Sequence, residues 1–398
     1  MNKKKIILDS IFNIIASIIP IAVIQLIILP TIANKLGNYQ YGIIITLISL
    51  ISLFSHPFGN VLNNIRLLQN KEYEQNKIQG DFNLLLIIGI CINSIVMIIG
   101  TIFYDEKITF INVAFIVIIS GLNLLREYLI VTFRLTLNYN AILFNNLFLA
   151  FGYLIGFLLF MLTQYWQLIY ICGYILSLLY IIKNSTLLKE KINRTILFKE
   201  TSYKTIILFL STFMGTAIIY ADKLILYPLL GPNIVAVYYA ATMIGKIISM
   251  GITPISGVFL SYLAKIEKLK IKNYIYIISF TGIVGVIGYF ICIIFSRPVL
   301  SFLYPNLVDE AMKLIYITTA SAVVSIITSV INPLILRFNN VNWQIIISTI
   351  NFIMYIISTI LFYNIYGLIG FCIGTLVANV VKLILMITIL GYNLKKAK

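Results

Sequence analysis

Apolar runs of about 20 residues, separated by short polar connections, fill most of this 398-residue chain. A helix needs about 20 apolar residues to cross roughly 30 Å of hydrocarbon. About twelve runs meet that length, at approximately 9–30, 41–62, 82–103, 108–133, 141–162, 167–182, 205–229, 234–263, 274–295, 313–336, 345–364 and 367–390. The runs are continuous. A membrane β-barrel would instead show strands of about ten residues with alternating polarity. The pattern predicts an all-α polytopic membrane protein. A mean hydropathy of +1.01 and a charged fraction of only 11% agree, since a soluble chain of this length needs far more polar surface.

One stretch occurs twice. Residues 28–45 read ILPTIANKLGNYQYGIII, and Leu224–Ala241 read LILYPLLGPNIVAVYYAA. Superposing Leu36–Gly37 on Leu230–Gly231, an offset of 194 residues, aligns two apolar runs that each close on Leu-Gly. Each is followed by a short polar turn, a small residue (Gly42 or Ala236) and a new run, with Tyr238 in the second. One helical hairpin is therefore used once per half. Twofold repetition of hydrophobic segments is a mark of many transporters.

Charge orients the spans. Lys and Arg number 29 against 13 Asp and Glu, and 21 of the 29 fall at the termini or in alternate connections on one side. These include Lys3, Lys4, Lys5, Arg66, Lys71, Lys77, Arg134, Arg337, and groups around 183–204, 265–272 and 395–398. The other side holds only Lys35, Lys107, Arg297 and Lys313. The positive-inside rule places both termini in the cytoplasm, in the cytoplasmic membrane. It also accounts for the net +16 without a nucleic-acid partner. The N-terminal run is too long for a signal-peptide core and is read as a retained first helix.

The longest cytoplasmic connection, 183–204, divides the chain into a six-helix lobe at 1–182 and another at 205–398. Its weak amphipathicity suits either a membrane-surface segment or a solvated linker. Cys91, Cys172, Cys292 and Cys372 lie inside apolar runs, far apart, and read as small buried hydrophobes.

Charges inside spans cost roughly 2.5–3.5 kcal/mol each at a helix centre and normally face a cavity or a partner. They are Arg126 and Glu127 in span four, Asp222 and Lys223 in span seven, Lys246 in span eight and Lys382 in span twelve. Asn123 lies three residues before Arg126, Asn379 three before Lys382, and Thr242 and Ser249 flank Lys246. Residues three or four apart share a helix face, so each cation heads a polar stripe expected to line a wet path. Asp222 and Lys223 point about 100° apart, so at least one is expected to pair across helices. Against this stands a bland reading in which Arg126 snorkels and Glu127 neutralises it. His56, beside Pro57, reads as a kink or interface residue ahead of a proton-coupling one. Pro20, Pro57, Pro254 and Pro333 fall within spans, with Asn332–Pro333 the candidate hinge.

No phosphate-cradling Gly-rich loop precedes a Lys-Ser or Lys-Thr pair. No metal-ligand spacing, nucleophile elbow or cofactor motif occurs, and no catalytic or metal residue is assigned. The chain is read as a transporter, not an enzyme, with no cofactor.

The doubled hairpin, ILPTIANKLGNYQYGIII and DKLILYPLLGPNIVAVYYAA, resembles matching segments of the bacterial polysaccharide exporters. Those are the lipid-linked oligosaccharide flippases for O-antigen and capsule, within the multidrug/oligosaccharidyl-lipid/polysaccharide exporter superfamily. The resemblance implies two pseudo-symmetric six-helix lobes around a cationic V-shaped cavity that opens to alternate sides. It implies a polyprenyl-diphosphate-linked oligosaccharide as cargo, with membrane lipid and other polysaccharide assembly proteins as partners. The cationic path would be Arg126, Lys223, Lys246 and Lys382, with Asp222 and Glu127 as coupling or charge partners. A drug/cation antiporter of the same superfamily is the main alternative, though those generally need unpaired membrane carboxylates. A polysaccharide polymerase, which would need a large outward loop, is more remote.

Overall fold

The computed structural model describes residues 18–105, 109–136, 138–263, 271–338 and 342–396. Side chains are not described over 250–271, at 342 or beyond 391. The predicted start of the first span, with Lys3–Lys5 and Asp9, lies outside the described residues. So do Lys107, Lys265, Lys268, Lys270 and Lys398, and the side chains of Pro254, Lys395 and Lys396.

Among the described residues there are twelve long helices and no strand. They are α1 (18–36), α2 (38–75), α3 (Asp81–Tyr104), α4 (Phe110–Leu135) and α5 (Tyr139–Thr163). Next come α6 (Gln167–Lys183), α7 (Phe198–Leu230), α8 (Pro232–Leu263) and α9 (Ile271–Leu303). The last three are α10 (Val308–Phe338), α11 (342–366) and α12 (368–396). The all-α, twelve-span class read from the hydrophobic pattern is the fold observed.

The corner between α1 and α2 is Gly37, with φ 79° and ψ 168°, and that between α7 and α8 is Gly231, with φ 81° and ψ 170°. These torsions fall in a region open essentially to glycine alone. A Cβ at either position would meet nothing within 4 Å. The requirement is therefore set by the backbone, not by space. Past each corner, residues 41–47 and 235–241 are buried without interruption, again at an offset of 194. A helix apolar all round is one buried on every side. The sequence repeat is thus a structural repeat, in torsion and in burial.

Packing divides the chain into two compact units, Met1–Pro232 and Asn233–Lys398. By repeat the chain divides six and six, whereas by packing α7 goes with the first unit. There α2 is the hub, packed on α3, α4 and α7. Leu62, Phe82, Leu124, Tyr128 and Val131 are fully buried around it. Phe54 of α2 meets Phe213 of α7 at a tilt and Phe58 meets Phe209 edge-on, with ring centroids 5.2 and 5.5 Å apart. In the second unit Ile331 and Leu334 of α10 and Met386 of α12 form a smaller closed core. Both units close a hairpin with paired glycines. Gly152 and Gly156 bring α5 onto the α6 backbone, and Gly370 and Gly374 bring α12 onto α11. Small residues four apart are how membrane helices approach closely.

Several helices outrun their apolar runs. α2 continues to Gln75 with Asn63, Arg66 and Gln69 buried. The reason is the 184–197 segment, which folds against it. Arg66 donates to both carboxylate oxygens of Glu190, at 2.8 and 2.5 Å. Asn83 donates to the carbonyls of Leu187 and Glu190 at 3.0 Å each. Fully buried Asp81 accepts from the Thr195 amide at 2.8 Å, from the Thr195 hydroxyl, and from Tyr73 at 2.8 Å. The connection is a strap on the first unit. Most of its residues are exposed, Ile192 and Ile196 among them, while Leu187, Glu190 and Thr195 tie it to the first unit.

Pro57 and Pro333 lie inside α2 and α10, which continue through them. Residues Val23–Ile28, shortly after Pro20, are π-helical. Cys292 and Cys372 are buried as expected, but Cys172 is half-buried and Cys91 exposed; all four are free thiols. Exposure on α3 and α9 means lipid: Ile95 and Ile99, and Ile283 and Ile294, are 58–69% exposed. Such apolar faces have no other sensible solvent in a spanning helix.

Gly37→Ala and Gly231→Ala should each destabilise by about 1–3 kcal/mol, because alanine disfavours these torsions. Gly215→Ala, inside α7 with open space around it, should be neutral or mildly stabilising. Thermal unfolding of the purified protein in detergent checks all three. Equal midpoints for the Gly37 and Gly215 variants would remove the corner from the account.

Candidate functional site: the charges within the spans

The six intramembrane charges are not one cluster. Four lie in the first unit and two in the second.

On α4, Arg126 is 6% exposed and three of its nitrogens are engaged. Nε donates to Ser177 Oγ of α6 at 2.8 Å, Nη1 to Glu127 Oε1 at 2.8 Å, and Nη2 to Asn146 Oδ1 of α5 at 2.6 Å. Ser177 in turn donates to Asn145 Oδ1 at 2.7 Å. The second Glu127 oxygen lies 3.6 Å from His56 Nδ1 on α2. Asn123, expected to share a wet stripe with Arg126, donates instead to Ser55 Oγ of α2 at 2.8 Å. Asn63 donates to the Glu127 carbonyl at 2.8 Å and accepts from Arg134 at 2.6 Å. One ion pair and a ring of amides and hydroxyls thus tie α2, α4, α5 and α6 together. The planar guanidinium suits this role, since it offers several donors in fixed directions.

On α7, Lys223 Nζ makes a short contact with Asp222 Oδ1 and donates to the Ile219 carbonyl at 2.9 Å. The two residues are 3% and 7% exposed. Neighbours on a helix leave the backbone about 100° apart. That argued against mutual pairing, but the four-carbon lysine stem bends back and closes the pair.

In the second unit Lys246 of α8 lies 3.7 Å from the centroid of the Tyr239 ring, a cation–π contact. Thr242 donates to the Tyr239 carbonyl at 3.0 Å and Ser249 to the Lys246 carbonyl at 2.8 Å, within their own helix. Asn379 of α12 donates to Ser321 Oγ of α10 at 2.9 Å, joining two helices. Lys382 is half-buried and makes no hydrogen bond or ion pair among the described residues. The three carboxylates of the second unit are Glu267, Asp309 and Glu310. Asp309 and Glu310 are exposed in the first turn of α10, and Glu267 falls outside the described residues. The interior of the spans here is cationic and holds no acid.

Of the hairpin residues, Tyr238 is 4% exposed and packs edge-on to Phe371 of α12, with centroids 5.8 Å apart. A Cβ on Gly42 would stand 1.8 Å from the Pro232 carbonyl oxygen, so the position admits only glycine. Leu36, at the corner, lines a cavity of about 360 Å³ in the first unit. Among the described residues no group of three His, Cys, Asp or Glu could hold a metal ion.

Sequence reasoning missed the polar anchor of the strap, Tyr73, Asp81, Thr195 and Glu190. Its available signal was Gly80–Asp81 opening a span, an acid at a positive helix end.

No family model matches the sequence, and no curated protein matches it. Solved structures do match in fold. An outward-facing multidrug resistance MATE family transporter of the MOP superfamily superposes at TM-score 0.63 and 12% identity, over 98% of this chain and 96% of that one. The Vibrio cholerae MATE transporter VcmN in its bent form gives 0.59 and 13%, over 99% and 97%. The lipid II flippase MurJ, in an inward closed conformation, gives 0.60 and 16%, over 91% and 87%. The chain has the fold of the MOP-superfamily transporters over nearly its whole length.

Arg126→Ala should cost about 3 kcal/mol of stability, because it leaves the buried Glu127 carboxylate with His56 as its one remaining charged neighbour. Arg126→Lys should restore part of the loss. The Arg126→Ala/Glu127→Ala double variant should be more stable than Arg126→Ala alone. Unfolding midpoints in detergent read all three, and additive losses in the double variant would dissolve the pair as a unit.

Proposed function

We propose that this chain is a flippase in the cytoplasmic membrane of a bacterium. It moves a polyprenyl-diphosphate-linked oligosaccharide from the inner to the outer leaflet for surface polysaccharide synthesis. Both termini and the strap face the cytoplasm, as the charge asymmetry of the connections argues.

The observation that carries this reading is the charge state of the second unit. Lys246 and Lys382 stand within spans that hold no carboxylate. Lys246 is met by the Tyr239 ring, whereas Lys382 makes no hydrogen bond or ion pair among the described residues, and a cation so placed suits a wet path that admits an anion. A diphosphate supplies one, while the glycan stays hydrated and the polyprenyl tail stays in lipid. In the first unit Arg126 and Lys223 are answered by Glu127 and Asp222. Each of those pairs closes within one helix, and the amides and hydroxyls around Arg126 join α4 to α2, α5 and α6. Outward movement of an anion follows the usual inside-negative potential, worth about 2.3 kcal/mol per charge per 100 mV. Alternating access on this basis needs no nucleotide.

The drug/cation antiporter reading has a specific observation in its favour, the fold likeness to multidrug MATE transporters at least equal to that with MurJ. Against it, both carboxylates inside the described spans are already paired with adjacent cations. A cationic drug would have to break one of those pairs.

A strain lacking the gene should accumulate an oligosaccharide diphospholipid and lose surface polymer. Extraction of polyprenyl-linked glycans and mass spectrometry read the first, and polymer staining the second. Lys246→Ala and Lys382→Ala should each slow flipping at least tenfold, the loss of one charge-assisted hydrogen bond of about 1.5–3 kcal/mol. Lys382→Arg should retain most of it. Unchanged lipid-linked glycans in the deletion strain, with drug sensitivity instead, would transfer the assignment to the antiporter.

A further inference from the structure

The cavity beside the Gly37 corner is separate from every charge used above. It is enclosed by α1, α2, the end of α3, the first turn of α4 and the α5–α6 connection, all within the first unit. Its volume of about 360 Å³ falls in the range of small-molecule sites. One wall is apolar, from Leu36, Ile43, Ile44 and Leu47. The other is built of amides and aromatic rings.

Four primary amides line it: Gln40, Asn112, Gln164 and Gln167. They are partly linked, Gln167 Nε2 donating to Asn112 Oδ1 at 3.4 Å and Asn112 Nδ2 to Asp105 Oδ2 at 3.3 Å. Gln167 is only 4% exposed, yet its Oε1 is buried with no hydrogen-bond partner. Leaving a buried acceptor unmet costs roughly 1–3 kcal/mol. That oxygen has no open surface of its own, so it is the amide group of Gln167 as a lining residue, and not this atom as it stands, that the cavity offers. Trp166, 6% exposed, stands beside it and contributes an indole to the lining.

The local backbone fixes this arrangement. Gln164 adopts a left-handed conformation, φ 65°, that ends α5, and α6 restarts within three residues. The turn therefore presents Gln164, Trp166 and Gln167 in one short arc. Amides donate and accept in one side chain, and so do the hydroxyls of a sugar. Four amides, one carboxylate and an indole match a neutral polyol better than an anion, which would meet Asp105. They match it better than a cation, which would find one acid among four neutral amides.

We propose that this cavity is a saccharide subsite, sized for about one sugar ring, at the outward mouth of the first unit. It rests on the flippase reading: there it would hold a ring of the glycan head while the diphosphate is elsewhere. The chemistry it recognises is a neutral, hydroxyl-rich ring, met by the side-chain amides of the lining.

The chain has two tryptophans, Trp166 and Trp343. Trp343→Phe leaves Trp166 as the sole indole reporter in the wall of the cavity. The purified variant in lipid nanodiscs is titrated with glucose, galactose, rhamnose and N-acetylglucosamine, and separately with inorganic diphosphate and ethidium. Trp166 fluorescence should change saturably, in the millimolar range, with at least one sugar and not with diphosphate. Gln167→Met should weaken that response about tenfold or more, and the milder Gln164→Ala and Gln40→Ala should each weaken it less. A wild-type response in Gln167→Met, or no saturable change with any of the four sugars, overturns the subsite. A response to ethidium alone does so as well, and it also favours the antiporter. Glycolipid accumulation in the deletion strain together with a silent Trp166 would sink the subsite and leave the flippase standing.

Discussion

Hydrocarbon offers a charge no hydrogen bonds, so every charge within a span needs a partner, a ring face or a wet cavity. Most of this structure follows from that constraint. Where a span carries both signs, the protein answers itself: Arg126 with Glu127, and Lys223 with Asp222. The amides and hydroxyls nearby complete the arginine's donors and, in doing so, bind α2, α4, α5 and α6 into one body. Where a span carries only a cation, the answer differs: Lys246 of the second unit lies over the Tyr239 ring, and Lys382 is half-buried with no hydrogen bond or ion pair among the described residues. The spans of that unit hold no carboxylate, so the two units differ in how their charges are met. That asymmetry sits on a framework whose two hairpins have nearly identical corners.

The corners explain why the framework repeats so faithfully. Gly37 and Gly231 agree within 2° in both φ and ψ, in a region where side chains are not tolerated. A helix that ends in this way turns the chain back without a loop, and the seven residues at 41–47 and 235–241 can enter the interior at once. The copies differ at the small residue: a Cβ at Gly42 would strike the Pro232 carbonyl, whereas the buried Ala236 of the second copy carries one, so what repeats faithfully is the corner torsion. The same economy appears in the 184–197 strap. It satisfies Asp81, Asn83 and Arg66, polar groups that α2 and α3 carry past the apolar runs.

All twelve spans and the doubled hairpin were legible in the sequence because hydrophobic length and Leu-Gly corners are local signals. Helix ends were less so. α2 reaches Gln75 and α7 starts at Phe198 because polar residues there bind another segment, which no local window reveals. The positions of the buried charges were legible, but their pairings were not. Asn146 and Ser177 become ligands of Arg126 only once α5 and α6 are packed beside α4. The hydroxyls beside Lys246 donate within their own helix, and Asn379 beside Lys382 reaches Ser321 of α10, a partner that no local window names. The lining of the cavity beside Gly37 comes from helix ends far apart in the chain, Ile43 and Leu47, Asn112 and Gln167 reading only as members of three separate spans.

The most direct test of the account is transport by the purified protein in sealed vesicles. A polyprenyl-diphosphate-linked oligosaccharide is placed in the inner leaflet, and its arrival outside is read by an impermeant glycosidase. The account predicts movement well above protein-free vesicles, faster under an inside-negative potential, and largely lost in the Lys246→Ala/Lys382→Ala protein. Arrival no faster than in empty vesicles, with the same preparation exchanging a cationic dye for protons, would contradict it.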